Sequence, residues 1–400
     1  MSDTTSVPAD ADPDDRANAA GAGGASPVPR CLYITGATGF VGSAVVRVAV
    51  ARGHRVVAVT RPGSTATALR AEGSDGLRLA RVDLRSTDGL AESLTGVDTV
   101  IHLAAAKAGT FATQFAGTVV ATENLLGAME RAGVDRLVGI STFSVYDYRN
   151  LSPGTVIDED APIDLEPTRR DEYAKTKLVQ ERLYRDFTGG DRRHVIVRPG
   201  MIYGADNLWH ALLGTELGPA YVRIGSRAVL PMTYVENCAE AIVLAAERLG
   251  DATSPVAGEV INVVDDDLPT QQAYADAVAS RTEVPSNVTV PWALVRAGAE
   301  TLAVANRRLL GGRAKFPGIA VPERLHARFK PLRYTNAKAK RLLGWSPRYG
   351  LSEAIERSLA AEADRAAAAT SDNEDRDADR EGDGHDEASV GQPGARRVGP

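Results

Sequence analysis

Apolar residues in the first half of the chain alternate between short continuous runs and longer amphipathic stretches. The continuous runs predict buried strands at 31–35, 55–60, 77–82, 98–103, 136–141, 194–198 and 259–264. The amphipathic stretches between them predict helices at 40–52, 86–94, 112–132 and 170–187. Strands that alternate with helices indicate an α/β fold with a doubly wound parallel sheet.

The alternation loosens after about residue 204. Residues 205–232 and 268–335, with a final helix near 351–366, are expected to form a smaller lobe over the strand ends. We therefore divide the ordered chain into a first domain at 29–204, which also takes in the last predicted strand, and a mainly substrate-binding lobe at 205–366. In this fold class ligands bind outside the carboxyl ends of the strands.

Both ends of the chain are acidic and poor in large apolar residues. Residues 1–28 hold five acids and one base, and residues 371–400 hold nine acids and four bases, in a chain whose net charge is −6. Such segments bury too little apolar surface to offset the entropy of ordering. We therefore predict disordered tails at 1–28 and 367–400. The remaining basic residues are scattered, so we predict no nucleic-acid partner.

The sequence also predicts where the protein resides. No apolar run approaches the ~18–20 residues that cross a membrane, and no membrane partner is expected. The first 29 residues do not resemble a secretory signal. Cys31 and Cys238 form neither a disulfide framework nor a metal-ligand spacing, and no metal site is predicted. These features favour a reduced, cytoplasmic setting.

The loop after the first predicted strand is rich in glycine. It consists of Thr35-Gly36-Ala37-Thr38-Gly39-Phe40-Val41-Gly42. Glycines three apart let the backbone turn tightly and approach a diphosphate, and the N-terminus of the following helix favours negative charge. A glycine-rich loop can also be only a tight turn. Its place between a strand and a helix, at the start of an alternating series, predicts dinucleotide binding.

This loop resembles the TGxxGxxG signature of the extended short-chain dehydrogenase/reductase family, which includes NAD-dependent epimerases and dehydratases. The resemblance runs from about Cys31 to Tyr349. Further matches are Asp83, His102-Leu103-Ala104-Ala105, Asn124, Tyr173-x-x-x-Lys177, Arg198-Pro199-x-x-x-Tyr203-Gly204 and Leu343-Gly344-Trp345-x-Pro347. The resemblance implies a Rossmann-type sheet and an NAD(P)-dependent enzyme that moves a hydride at a secondary alcohol or ketone carbon.

Tyr173 and Lys177 are the predicted catalytic pair. Four residues apart in a helical segment, they lie on one face, one turn apart. Hydride transfer from an alcohol needs a base for the hydroxyl proton, and the reverse reaction needs an acid. A nearby ammonium and a positive nicotinamide ring favour the phenolate of tyrosine, whose ordinary pKa is ~10. The resemblance implies that Lys177 also holds the nicotinamide ribose hydroxyls. The alternative is a surface Tyr–Lys pair.

Thr142 is the predicted third member of the catalytic set. The family places a Ser or Thr hydroxyl four residues before the tyrosine of its VY pair, here Tyr146. That hydroxyl would orient the reacting oxygen toward the catalytic tyrosine. Ser141 and Ser144 are the fallback candidates. Asp147 follows the VY pair where the family often has Gly, so the loop is expected to be reshaped.

The resemblance also implies the cofactor contacts. They are Gly36, Thr38, Gly39, Phe40, Val41, Gly42, Arg61, Asp83, Leu84, Leu103, Ala104, Ala105, Lys177, Pro199 and Ile202. An NAD site usually carries an acid at the end of the second strand, and this chain has Arg61 there, which could pair with the 2′-phosphate of NADP. We expect NADP or NAD, with NADP favoured, although Arg61 could be a solvated surface residue. Asp83 either contacts the adenine or caps the helix near Ser86.

Several departures from the family narrow the reaction. Dehydratases carry an Asp-Glu pair directly after the catalytic Thr, where this chain has Phe143 and Ser144. Neither cysteine is placed for the carbon-acid chemistry of reductive epimerases. Sugar-nucleotide epimerases tend to carry Arg four residues before the tyrosine that matches Tyr234, and Leu230 stands there instead. Arg223 or Arg227 could substitute.

The leading interpretation is an epimerase or oxidoreductase acting on a nucleotide sugar, a small-molecule substrate. The first alternative is a ketone reductase or 3β-hydroxysteroid-dehydrogenase-like enzyme with an apolar substrate. The second is a non-catalytic nucleotide-sensing module, which would typically lose the Tyr/Lys pair. Related enzymes often dimerise through the helix after the fourth strand and the helix with the Tyr/Lys pair. Apolar residues on more than one stripe of these helices predict a homodimer here, with Val119 and Leu183 as expected contacts of the partner.

Overall fold

A computed structural model of the protein describes residues 28–66, 69, 76–165, 170–209, 214–217, 220–225, 227–282, 287–309, 311, 313 and 321–382. Its strands are β1 Cys31–Thr35, β2 Arg55–Thr60, β3 Leu77–Arg81, β4 Thr99–His102, β5 Arg136–Ile140, β6 Val156–Ile157, β7 Arg193–Pro199, β8 Met201–Tyr203, β9 Gly214–Leu217, β10 Ala220–Ile224, β11 Met232–Tyr234, β12 Val260–Val263, β13 Asn287–Val290 and β14 Arg333–Tyr334. Most of the two predicted disordered tails, at 1–27 and 383–400, lies outside the described residues.

Seven of these strands form one parallel sheet in the order β12-β7-β5-β4-β1-β2-β3. All seven were predicted from the apolar runs, with ends that differ by at most one residue. The strand order reverses between β1 and β4, which is the point where ligands bind in doubly wound sheets. The predicted fold class is therefore confirmed.

The helices are α1 Phe40–Ala51, α2 Leu90–Ser93, α3 Phe111–Phe115, α4 Ala121–Ala132, α5 Glu172–Asp186, α6 Val235–Leu249, α7 Gln271–Ala279, α8 Trp292–Leu309, α9 Pro322–Phe329, α10 Ala337–Leu343 and α11 Leu351–Gly382. The helix predicted at 86–94 shrinks to α2. Gly89 precedes α2 with a φ of 66°, a left-handed conformation that a helix cannot continue through.

The helix predicted at 112–132 is continuous but not regular. A π-helical turn at Ala116–Val120 joins α3 to α4. A Cβ on Gly117 would lie 2.9 Å from the Cβ of Ala106, so only glycine lets the helix pass the loop after β4 this closely. Inserted π turns often occur at functional sites. This turn places Thr118 and Thr122 toward the interior.

The main hydrophobic core lies between the sheet and the pair α1 and α6. It also includes Trp345 and, from α11, Ala354 and Ile355. The helix α11 extends well past the predicted end at 366, to Gly382. Alanines at 366–369 favour the first turn of this extension, because alanine has the highest intrinsic helix propensity. Part of the stretch predicted to be a disordered tail is therefore helical.

A smaller group of elements lies outside the main sheet. Strands β13, β10 and β9 form a three-stranded sheet, and α8 and α9 pack on it through Ile224, Ala299, Leu325 and Phe329. These four residues form a core of their own. The separate lobe, and its boundary near residue 204, stay predictions.

Neither a membrane-crossing helix nor a metal-binding cluster is found among the described residues. No helix among them is long and apolar enough to cross a membrane. Within the same ranges, no group of three or more His, Cys, Asp or Glu residues is placed to hold a metal ion. Both cysteines are free and buried.

Candidate active site

The glycine-rich loop forms a tight turn between β1 and α1. Gly36 has a φ of +67°, and a Cβ on it would lie 3.0 Å from the Ala104 amide nitrogen. A Cβ on Gly42 would lie 2.0 Å from the carbonyl oxygen of Gly36. The first turn of α1 has no side-chain cap and no acidic residue. An open helix N-terminus behind a glycine cradle fits the diphosphate of a dinucleotide.

Charged residues follow β2 and β3 at the same edge of the sheet. The Asp83 carboxylate accepts from the Arg85 backbone amide at 3.0 Å and from its guanidinium at 2.6 to 3.2 Å. These bonds, helped by the nearby charge of Arg61, lower the pKa of Asp83 to about 2. Ser86 bonds to the Asp83 carbonyl rather than its side chain. Because Arg85 is engaged by Asp83, Arg61 is the exposed cation beside it.

The other predicted cofactor contacts lie at the carboxyl ends of several strands. They are Thr38, Gly39, Phe40 and Val41 after β1, Leu84 after β3, Leu103, Ala104 and Ala105 after β4, Pro199 in β7 and Ile202 in β8. The amides of Leu103 and Ala104 both donate to Thr35 Oγ1 at 3.1 Å. Asn124 donates to the Leu84 carbonyl at 3.0 Å. The structure therefore brings these segments to one edge of the sheet.

The side chains of Tyr173 and Thr142 lie close enough together for the Thr142 hydroxyl to lower the pKa of Tyr173. Thr142 follows β5, and its Oγ1 accepts from the Ser144 amide at 3.2 Å. Tyr173 lies in the first turn of α5, which Asp171 caps by accepting from the Ala174 amide. Burial raises the pKa of Tyr173 to about 12, although the nearby Thr142 side chain acts to lower it. This direction is opposite to the lowered pKa that we expected.

Lys177 lies one turn after Tyr173 and is buried. Its ammonium donates to the Ile140 carbonyl at 2.5 Å and to the Gln180 side chain. Burial, which disfavours the charged form, lowers the pKa of Lys177 to about 7, and the nearby Glu181 raises it. With its ammonium bound to Ile140 and Gln180, Lys177 does not offset the effect of burial on Tyr173.

The two fallback hydroxyls are placed differently from Thr142. Ser141 donates to the carboxylate of Glu181, which forms a buried ion pair with Arg198 at 2.5 Å. This pair lowers the pKa of Glu181 against the opposing effect of burial. Ser144 Oγ accepts from Thr142 at 3.4 Å. Thr142 is thus the hydroxyl that meets Tyr173.

The loop after β5 is held by Arg170. Its guanidinium donates to the Ser144 carbonyl at 2.6 Å and to the Tyr146 carbonyl at 3.0 Å. The Tyr146 hydroxyl donates to Asn262 Oδ1 at 2.7 Å. Phe143, at a position where dehydratases carry an acid, is buried against the Tyr146 ring. Sequence reasoning did not single out Arg170, whose role depends on tertiary contacts.

The three positions considered for binding a substrate diphosphate, Arg223, Arg227 and Leu230, lie in different surroundings. Leu230 is buried in the main core. Arg223 is buried, and its guanidinium donates to Thr289 Oγ1 at 2.8 and 3.0 Å. Arg227 is exposed. Of the two candidate substitutes, Arg223 is engaged inside the smaller sheet, and Arg227 remains accessible.

Three histidines near the ends of strands, His54, His102 and His194, have internal partners. His54 Nε2 lies 2.8 Å from Glu247 Oε1. His102 lies between Thr35 and Thr122, and burial lowers its pKa to about 3. His194 is buried, which lowers its pKa. Sequence reasoning missed the polar cluster around His102, because only the fold brings these residues together.

Comparison with known proteins identifies related chains. A ketoreductase of Stigmatella aurantiaca, named for 4-hydroxy-2-methyl-3-oxo-4-farnesyl-3,4-dihydroquinoline-1-oxide, is 29% identical over 324 residues, 79% of this chain and 92% of the relative. A 3 beta-hydroxysteroid dehydrogenase/Delta 5-->4-isomerase of Mycobacterium tuberculosis is 33% identical over 249 residues, 58% of this chain. The match covers 64% of that relative, which is less than two thirds of its length.

Solved structures share the fold. A UDP-glucose-4-epimerase from Stenotrophomonas maltophila, with bound NAD and formylated UDP-arabinopyranose, superposes with a TM-score of 0.65 and 22% identity. The match covers 85% of this chain and 99% of that one. The family model for the NAD dependent epimerase/dehydratase family matches residues 32–263. The chain is therefore an enzyme of the NAD dependent epimerase/dehydratase family, within the extended short-chain dehydrogenases/reductases.

Proposed function

We propose that this enzyme transfers a hydride between a nicotinamide dinucleotide and a secondary alcohol or ketone carbon, with Tyr173 as the acid or base. The observation that carries the proposal is the closeness of the Tyr173 and Thr142 side chains, at the carboxyl edge of a sheet whose first turn is a glycine cradle. The bound nicotinamide supplies or accepts the hydride. Proton transfer and the orientation of the substrate are tasks for residues of this chain.

Tyr173 moves the proton in this proposal. Its raised pKa keeps the hydroxyl protonated at neutral pH, so the group is ready to donate to the oxygen of a ketone during reduction. Thr142 orients that oxygen. In the oxidation direction Tyr173 must accept the proton, which the positive charge of the oxidised nicotinamide ring would favour.

An apolar alcohol or ketone is the substrate class that the described residues support best. Leu230 is buried where sugar-nucleotide epimerases tend to carry Arg, and Arg223 is engaged by Thr289. The relatives named for a farnesylated quinoline and for a hydroxysteroid also act on large apolar molecules. The exposed Arg227 favours the second candidate, a nucleotide sugar, whose diphosphate it could bind.

A substrate panel separates these two candidates. Purified protein with reduced cofactor would be offered a 3-ketosteroid, a long-chain 3-oxo ester and UDP-4-keto-glucose, while the absorbance of the reduced nicotinamide is followed. Incubation of UDP-glucose with oxidised cofactor and product analysis by NMR covers epimerisation. We expect oxidation of the cofactor by an apolar ketone. Epimerisation of UDP-glucose, without turnover of any apolar ketone, would assign the enzyme to nucleotide sugars.

NADP is the proposed preference, because Arg61 is the exposed cation at the end of β2. The proposed location is the cytoplasm, since Cys31 and Cys238 are free thiols, as expected in a reducing compartment.

We also propose a homodimer through α4 and α5. Between these helices lies a groove of about 250 Å³ lined in part by Leu126, Leu183 and Phe187.

A further inference from the structure

Gln180 is a fully buried polar residue next to the proposed catalytic pair. It lies three residues after Lys177 in α5, so the two side chains share one face of the helix. Gln180 Oε1 accepts a hydrogen bond from the Lys177 ammonium, and the Ile140 carbonyl accepts another at 2.5 Å. Two of the three ammonium N–H groups of Lys177 are therefore directed by the protein.

Thr122 fixes the orientation of the Gln180 amide. The Thr122 hydroxyl donates to the Thr118 carbonyl at 2.6 Å, so its oxygen can only accept from its other partners. Gln180 Nε2 donates to that oxygen at 2.9 Å. A flipped amide would place its NH₂ group against the Lys177 ammonium and its oxygen against an oxygen without a free proton. The amide oxygen must therefore face Lys177.

His102 extends the same network to the loop after β4. Because the Thr122 oxygen accepts, the proton of the neutral imidazole lies on Nε2, which is 2.9 Å from Thr122 Oγ1. His102 Nδ1 then accepts from Thr35 Oγ1 at 2.7 Å. Thr35 Oγ1 in turn accepts from the amides of Leu103 and Ala104. One buried network thus connects Lys177 to a loop that would contact the dinucleotide.

We propose that Gln180 is a positioning residue, which sets the direction of the Lys177 ammonium so that its third N–H faces the ribose of the bound dinucleotide. This inference rests on the proposed function, because it needs a dinucleotide in the glycine cradle. The groups that act on Lys177 electrostatically are Glu181 on α5 and Lys107 after β4. Neither of them is hydrogen-bonded to its ammonium among the described contacts, so Gln180 is the side chain that directs it.

The test is the dissociation constant of NADPH and NADH, measured by nicotinamide fluorescence for wild type and Gln180→Met. Methionine fills a similar volume and offers no strong acceptor. We expect binding to weaken ~10-fold, the scale of one hydrogen bond to a charged group. Gln271→Met, at an equally buried glutamine on α7, is the matched control and should leave the dissociation constants unchanged.

The readouts separate positioning from stability and from the proposed function itself. A role in folding alone would lower the melting temperature of Gln180→Met and leave its cofactor affinity at wild-type strength, which would overturn the inference. Failure of wild type to bind either dinucleotide would instead contradict the proposed function. Should Gln180→Met not fold, Thr122→Val decides, because it frees the amide without touching Lys177. We expect Thr122→Val to bind NADPH and NADH ~3-fold or more weakly than wild type. An unchanged affinity of this variant for both dinucleotides overturns the inference.

Discussion

The side chain of Tyr173 lies next to that of Thr142, across the space between helix α5 and the end of strand β5. Two residues that are 31 positions apart in the sequence thus meet at the edge of the sheet. Asp171 caps α5 just before Tyr173, and Arg170 holds the loop that follows Thr142. The position of the proposed acid is therefore determined from both sides.

The first prediction concerns Thr142. Thr142→Val keeps the shape of the side chain and removes its hydroxyl, so we expect turnover to fall ~10-fold or more while the cofactor dissociation constant stays unchanged. Thr142→Ser restores the hydroxyl and should recover most of the rate. Steady-state kinetics with a turned-over ketone measures both. Equal rates for Val and Ser would show that the hydroxyl does not orient the substrate.

The second prediction concerns the nucleotide. Because Arg61 is exposed beside the adenine-ribose end of the proposed site, wild type should bind NADPH more tightly than NADH, and Arg61→Ala should narrow the difference. Fluorescence titration measures each constant. Arg55→Ala changes the arginine at the start of β2, the strand that Arg61 follows. It is the control and should keep the preference for NADPH. Tighter binding of NADH by wild type would contradict this assignment of Arg61.

The third prediction concerns the pH dependence of stability. The pKa of Lys177 falls from 10.5 in the unfolded chain to about 7 in the folded protein. Between these values the unfolded chain binds more protons at this site, so its contribution to stability rises with pH. Lys177→Met should therefore be most favourable relative to wild type at or below pH 7 and lose that advantage toward pH 10. Melting temperatures across this range test it, and a difference independent of pH would contradict it.

The fourth prediction concerns the dimer, and it replaces Val119 with Val179 as a residue of the dimer surface. Val119 was expected to be available for a partner, but it is 1% exposed and belongs to the interior, so changing it would damage folding. Val179 is 40% exposed on α5. Val179→Glu with Leu183→Glu should shift sedimentation from a dimer to the 42.2 kDa monomer. Leu302→Glu, at an exposed leucine on α8, is the control, and a monomeric wild type would contradict the proposal.

The sequence predicted the sheet well because its signals are local. Buried parallel strands such as β1 and β2 are continuous apolar runs, and the glycines at 36, 39 and 42 mark the turn between strand and helix. The helical spacing likewise indicated that Tyr173 and Lys177 share a face. These features need only neighbouring residues to be recognised.

The parts that were not predicted depend on contacts between distant segments. The network of Gln180, Thr122 and His102 joins residues from α5, α4 and β4. The ring packing of Phe143 against Tyr334 also joins distant segments. The predicted direction of the Tyr173 pKa shift was wrong, because this shift depends on burial and on where the Lys177 ammonium points. Neither can be obtained from the spacing of the two residues.

The most direct test of the central claim is the turnover of Tyr173→Phe compared with Tyr184→Phe. Tyr184 is a buried tyrosine on the same helix, and its hydroxyl has no hydrogen-bond partner among the described residues. With reduced cofactor and a ketone that wild type reduces, we expect Tyr173→Phe to bind the cofactor normally and lose ~10²-fold or more in turnover. Tyr184→Phe should stay near the wild-type rate. A near-wild-type rate for Tyr173→Phe would contradict the claim that Tyr173 moves the proton.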